Sequence, residues 1–411
     1  MKGGDELGVC VQVWSWGVND DSALGRQTEG VKDADGNPID MEELAATPHV
    51  VDALVAQKFR AVQVVAGDCT GVALSDRGEL RIWGTFRVSI LSSDLRFTHA
   101  CQSPEGQKAF SSTENPKGGA ARAEGVSETL HPIALPGFKN IKISAISSGA
   151  NHVIALTIDG LVYGWGSSEQ GQIGRKVLSR HRKNGMEPER LDIRDAVVIG
   201  TGAYHSFAVD KSGTVWGWGL NSWGQLGFKS ASSVTDQVHY TMEGVPALHP
   251  DVTGSNVVQI AGGEHHSLFR LADGRVFAVG RNDGGQLGVT LDHPSILADP
   301  DSKGIATFQP IQVPIQGFVV DIQVGQRNNL ALTDTGILFS WGQGNLGIHR
   351  DVEETFSPTL IAGRPTSAWQ CLGASCGGQH SFVIVKKRET EESTQRDTPA
   401  AVDGAKVNGV H

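Results

Sequence analysis

GANHVIALTIDGLVYGWGSSEQGQIG (149–174), GAYHSFAVDKSGTVWGWGLNSWGQLG (202–227) and GEHHSLFRLADGRVFAVGRNDGGQLG (263–288) are three copies of one cassette. Each opens Gly-x-x-His, runs through a short apolar stretch to a turn containing Gly, and returns through a Trp-Gly or Val-Gly step. Each then closes on Leu-Gly or Ile-Gly. Residues 67–84 and 325–347 repeat the pattern with losses. A repeat this dense decides the architecture before any single residue is considered.

The β-favouring runs 72–75, 153–157, 207–209 and 330–333 lead into Gly-containing turns at Gly78, Gly160, Gly213, Gly274 and Gly336. Such turns suit hairpins, whose connections need a residue with positive φ. The returning strands are 79–83, 161–165, 214–218, 275–279 and 337–341. Each copy is therefore a hairpin with an apolar face, too small to be stable alone. Stacking such hairpins into a ring buries those faces and leaves few open edges. The expected fold class is all-β, a β-propeller. The turn glycines at 78, 160, 213, 274 and 336 are separated by 82, 53, 61 and 62 residues. That exceeds the roughly 40–45 residues of a WD40 blade, and no Trp-Asp signature is present.

Composition narrows the function classes. A chain of 411 residues, 39% hydrophobic, has enough apolar material for a large core, and repeat folds of this length need not divide. Its net charge of −10 makes it a poor wrapper of bare nucleic acid and a better attractor of a basic protein partner. Five cysteines without a Cys-x-x-Cys pair argue against a disulfide scaffold and fit a reducing compartment. No apolar run reaches the 18 residues of a membrane helix, and no membrane partner is expected. Catalytic and nucleotide-binding signatures are lacking: there is no Gly-x4-Gly-Lys-Ser/Thr, no Gly-x-Ser-x-Gly and no His-Glu-x-x-His. Gly342-x-Gly344-x-x-Gly347 matches a dinucleotide fingerprint by letters, but it follows from the cassette and opens no helix. His152, His205, His266 and His380 share one repeat position with Thr70 and Asn328. Spread around a ring and replaceable by Thr or Asn, they read as a structural hydrogen-bonding slot, with no metal site. Trp83, Trp165, Trp218 and Trp341 read as blade core.

The spacing, together with the runs WSWGVNDDSALGR (14–26), AGDCTGVALSDRGELRIWGTFR (66–87), GAYHSF (202–207) and CGGQHSFVIV (376–385), resembles the regulator of chromosome condensation family. The resemblance covers about 13–386. It implies a seven-bladed propeller, of which about six units are recognisable: five internal cassettes and split ends at 11–17 and 377–385. A missing upstream blade is expected in preference to closure of six units by those ends. The domain expectation is one propeller over 9–386, with an irregular insertion at 88–125 and a polar, disordered tail at 387–411.

The resemblance also implies a function. Members act as guanine nucleotide exchange factors for the small GTPase Ran, without covalent chemistry and without a cofactor. They do so by stabilising the nucleotide-free GTPase while docked on chromatin in the nucleus; a cytoplasmic pool is the second location. On that basis Asp68, Arg175, His265 and His380 are Ran-facing residues. The family's second acidic position falls on Asn151, so one charge is lost. The family's β-wedge maps within 109–132. A basic loop, 175–194, stands out in an acidic chain, and Arg180, Arg182, Lys183 and Arg190 are the candidates for docking on the acidic histone surface of a nucleosome. Sequence-specific DNA binding is not expected. The alternative is an inactive propeller serving as a scaffold for protein or chromatin contacts, which the loss at Asn151 favours.

Overall fold

The computed structural model describes residues 11–18, 44–66, 70–76, 80–84, 141, 143–177, 185, 188–228, 238–244, 256–298, 303–348, 352–361, 369–377 and 380–387. Asp68, Arg180, Arg182, Lys183, the wedge region, the insertion and the tail beyond 387 lie outside them. Among the described residues the chain forms six antiparallel sheets. In five of them the second and third strands are a cassette hairpin, and in the remaining one the first and last strands of the chain take its place.

β1 (Val11–Val18) and β2 (Leu44–Val50) belong to the sheet that also holds the last strands. β3 (Ala61–Ala66), β4 (Thr70–Ser75) and β5 (Leu80–Gly84) form a three-stranded sheet. The third sheet is β6 (Ile143–Ser148), β7 (His152–Thr157), β8 (Val162–Gly166) and β9 (Glu189–Arg190). The fourth is β10 (Ala196–Thr201), β11 (His205–Asp210), β12 (Val215–Leu220) and β13 (Val238–Gly244). The fifth is β14 (Val257–Gly262), β15 (His266–Leu271), β16 (Val276–Arg281) and β17 (Ala306–Gln312). The sixth is β18 (Val319–Val324), β19 (Asn328–Thr333), β20 (Leu338–Gln343) and β21 (Glu354–Leu360). β22 (Trp369–Cys376) and β23 (His380–Lys387) complete the first sheet, in the order β2-β1-β23-β22.

The hairpin turns have a local cause. The Gly160 amide donates to the Thr157 carbonyl at 3.0 Å and the Thr157 amide donates to the Leu161 carbonyl at 2.9 Å. Gly160 itself sits at φ +77°, where a Cβ would come 2.9 Å from the Asp195 Cα. This is the three-residue hairpin that puts its last residue in the left-handed region, and it explains why a Gly-containing turn ends each apolar run. At the Trp-Gly step the pairing with the outer strand shifts register, between Gly217 and Gly219, Ala278 and Gly280, and Ser340 and Gly342. Such bulges bend a strand and increase its twist.

The core lies between consecutive sheets. Phe207, Val209 and Val215 pack against Ile260, Phe269 and Phe277. Leu268, Ala278 and Leu287 pack against Ile322 and Trp341, and Trp16 packs against Leu330 and Leu338. Trp16, Trp165, Trp218 and Trp341 are all at most 2% exposed, as the cassette reading requires. The innermost strands of all six sheets line a central channel of about 850 Å³.

Both chain ends share one sheet. β1 pairs with β23 from Val11↔Lys386 to Gly17↔His380, and with β2 on its other side. The split ends expected from sequence, 11–17 and 377–385, thus meet as neighbouring strands. The reason is compositional: Val11 and Val13 pack with Phe382 and Ile384 on one face of the sheet, and Trp14 and Trp16 pack with Val383 and Val385 on the other.

Candidate functional site

The repeat His slot opens the second strand of its sheet, and His152, His205 and His266 reach across to the next one. His152 Nε2 lies 2.8 Å from Ser206 Oγ, His205 Nε2 2.7 Å from Ser267 Oγ, and His266 Nε2 2.8 Å from Asn329 Oδ1. The residue that receives each imidazole directly follows the slot of the next cassette, so the partner was encoded one position further along. That receiving group then turns back. Ser206 donates to the Gln172 carbonyl at 2.8 Å, Ser267 to the Gln225 carbonyl at 2.8 Å, and Asn329 to the Gln286 carbonyl at 2.9 Å. Two blade tryptophans use the same acceptors, and a third uses the carbonyl of another loop. Trp218 donates to the Gln172 carbonyl at 2.9 Å, Trp341 to that of Gln286 at 3.1 Å, and Trp16 to that of Asn345 at 3.2 Å. Among the described residues a belt of hydrogen bonds thus stitches the loops that hold Gln172, Gln225, Gln286 and Asn345 to the sheet after each.

Burial makes this belt electrically quiet. Desolvation holds His152 down to about 3 and His266 to about 4, although the Asn329 contact pulls the latter upward. His205 is also held well below its usual value, by burial first and by its neighbouring imidazoles second. These rings stay neutral at physiological pH and are occupied by the fold.

Above the belt runs a rim on the same end of the ring, formed by the residues just before each slot: Asn151, Tyr204, His265 and Arg327. Their carbonyls are fixed by the amides of Ser167, Leu220, Arg281 and Gln343 at 2.7–3.0 Å. Amides also link neighbouring turns across sheets, Ala150 to the Ala203 carbonyl, Ala203 to that of Gly263, and Glu264 to that of Gln326. The rim backbone is therefore rigid, and its side chains differ from sheet to sheet. That combination suits a specific protein-binding face.

The structure distributes the residues expected from sequence as follows. Asn151 and His265 are partly exposed on this rim, in the third and fifth sheets. Arg175 follows the Ile-Gly loop at the same end. Its Nη1 is 2.9 Å from Glu189 Oε2, and its side chain is 17% exposed. Arg190 is exposed on β9, at the base of the basic loop. His380 differs: at 2% exposure it is a belt residue, set edge-on to Phe382 with ring centroids 5.2 Å apart. A buried imidazole does not reach a partner, so any part it plays is through the position of β23.

Sequence reasoning missed the surroundings of His265. Its ring lies 6.5 Å from that of Trp223, and its Nε2 is 3.7 Å from Glu264 Oε1. Asp283 receives Arg281 on one oxygen and, on the other, Arg327 at 3.0 Å and Gln286 Nε2 at 3.1 Å. The Arg281 guanidinium lies over the Trp223 ring at 4.8 Å, with Lys303 at 6.0 Å. Burial lowers the His265 pKa; the Glu264 carboxylate works against this, while Arg281 and Arg327 reinforce it. The one sequence signal was that Asp283 and Trp223 stand where successive cassettes disagree.

The RCC1-like domain model matches residues 9–383. The protein pim1 of Schizosaccharomyces pombe is 34% identical over 388 residues, 93% of this chain and 65% of pim1. The guanine nucleotide exchange factor SRM1 of Saccharomyces cerevisiae is 29% identical over 403 residues, covering 93% of this chain and 77% of its own length. Among solved structures, Prp20p from Saccharomyces cerevisiae, described with its binding properties to Gsp1p and histones, superposes with a TM-score of 0.61 at 28% identity. It covers 94% of this chain and 80% of Prp20p.

Proposed function

The chain belongs to the RCC1-like, or regulator of chromosome condensation, family, and we propose that it is the guanine nucleotide exchange factor for Ran, docked on chromatin in the nucleus. The observation that carries this reading is similarity along 93% of the chain to relatives that include a named exchange factor. The rim supports it with a rigid backbone that carries different side chains on successive sheets.

Exchange needs no covalent step. A GTPase grips its nucleotide through phosphate, metal and switch contacts. A factor that binds the empty form better than the loaded form weakens nucleotide binding, and nucleotide weakens the factor by the same factor in return. His265, Asn151 and Arg175 are the described residues proposed to face Ran, with Asp68 and the wedge at 109–132 joining them from outside the described residues. His380 is proposed to act by holding the start of β23 in place. Catalytic amounts of the chain are expected to accelerate release of a fluorescent GDP from Ran well above the intrinsic rate. A folded, monodisperse sample that leaves the rate unchanged overturns the proposal. It would favour the scaffold reading, for which Asn151 in the acidic position is the specific observation.

Chromatin docking is proposed through Arg180, Arg182 and Arg190, whose guanidinium forks pair bidentately with carboxylates, and Lys183, which adds a point charge. The Prp20p description, which names histones, supports it. Replacing Arg180 and Arg182 by Glu is expected to abolish nucleosome pull-down; retention at the wild-type level removes the loop from the assignment.

A further inference from the structure

The His265 surroundings bring together side chains from three successive sheets. Trp223 comes from the loop after β12, Arg281 and Asp283 from the end of β16 and the loop beyond, and Arg327 from the turn before β19. Asp283 bridges the two guanidiniums, Arg281 on one oxygen and Arg327 on the other. Arg281 is also braced against the Trp223 ring. Neither arginine is spent inside the protein: the side chains are 27% and 36% exposed, and Lys303 is exposed beside them.

Charge gives the patch a direction. Arg281, Arg327 and Lys303 stand against the Asp283 and Glu264 carboxylates, an excess of one cation on a chain whose net charge is −10. A partner drawn by the acidic body presents mainly basic surface, so a cationic spot on the rim selects the place where an acidic side chain of that partner can land. The acidic body disfavours a nucleic-acid phosphate as the occupant. Guanidiniums already held in place lose little freedom on pairing with a carboxylate, and Trp beside Arg is the composition enriched where binding energy concentrates.

We propose that Arg281 and Arg327, tied together by Asp283, form with Trp223 a docking patch for an acidic side chain of the GTPase, next to His265. This rests on the exchange reading above. Asp283 touches no partner in this scheme; it is a positioning residue.

The test compares steady-state exchange on Ran by the full chain, by Arg327→Glu, by Asp283→Asn and by Asp283→Glu. Lys211→Glu serves as the control, since Lys211 is exposed in a hairpin turn at the opposite end of the ring. Arg327→Glu is expected to raise KM about tenfold or more with kcat little changed, as loss of a contact made equally before and during release requires. Asp283→Asn should raise KM less, Asp283→Glu should restore most of it, and Lys211→Glu should match wild type. Melting temperatures measured alongside separate docking from unfolding. Active wild type with an Arg327→Glu variant of unchanged KM overturns the patch and leaves the exchange function standing. A fall in kcat and melting temperature without a change in KM likewise overturns it, by showing a structural role. Inactive wild type removes the exchange reading, and this inference with it.

Discussion

Each belt imidazole has exchanged its capacity to carry charge for one hydrogen bond to the next sheet, and that exchange makes stability depend on pH. His152, His205 and His266 are held below the usual 6.5, His152 to about 3 and His266 to about 4. In the unfolded chain these rings take up protons as pH falls through 6.5, while in the folded chain they stay neutral. Unfolding therefore binds protons, and the belt's contribution is fully present above pH 6.5 and is lost as pH falls toward 4 and then 3. Each group adds roughly 1.4 kcal/mol per pH unit to the slope within that window. His152→Gln keeps a polar group facing Ser206 but removes one titration. Its urea-unfolding free energy between pH 6.5 and 4.5 is expected to fall less steeply than wild type by about one such increment. Parallel curves for the two proteins would show that His152 is not a buried neutral ring.

At the scale of the strands, legibility followed the cassette. The hairpins were readable because the two requirements for one, a period-two apolar run and a left-handed turn residue, are both written in side chains: β7 and β8 lie within a residue of the stretches read from sequence, with Gly160 at φ +77°. The inner strands were not read. β14 is VVQIAG and β18 is VVDIQV, short runs without a cassette signal, which are strands because one edge pairs with the hairpin, their apolar residues pack against the preceding sheet, and they line the channel. The outer strands were less legible still, since β9 is only Glu189–Arg190 and is set by its ladder with Tyr163 and Gly164. The same limit applied to the candidate site. His265 stood out as an imidazole doubled against the repeat. Asp283 and Arg327 are 44 positions apart, and only the stacking of two sheets makes them a pair. The His slot was correctly read as structural, but its partners on the next sheet are a property of the ring.

For the whole molecule, the question is whether stability is local, as in an open array of repeats, or shared, as in a closed ring. In an open array each unit contacts only its neighbours, and loss of an end strand costs that end alone. Here β1 is a central strand of a sheet that also carries the C-terminal β22 and β23, and it buries Trp14 at 6% and Trp16 at 0% exposure. Two tryptophans burying 150–250 Å² each are worth roughly 10 kcal/mol at about 25 cal/mol per Å², comparable with the whole net stability of about 5–15 kcal/mol for a domain. Trp16 also donates to the Asn345 carbonyl and packs on Gly347, so its loss reaches the sixth sheet directly. Removing residues 1–18 is therefore expected to abolish the cooperative thermal transition and to yield an aggregating chain with an open edge at β23. Differential scanning calorimetry and size-exclusion chromatography would report both effects. A truncated chain that melts cooperatively within a few degrees of the full one, as a monomer, would mean that the sheets hold themselves in a row and that the pairing of the ends contributes little.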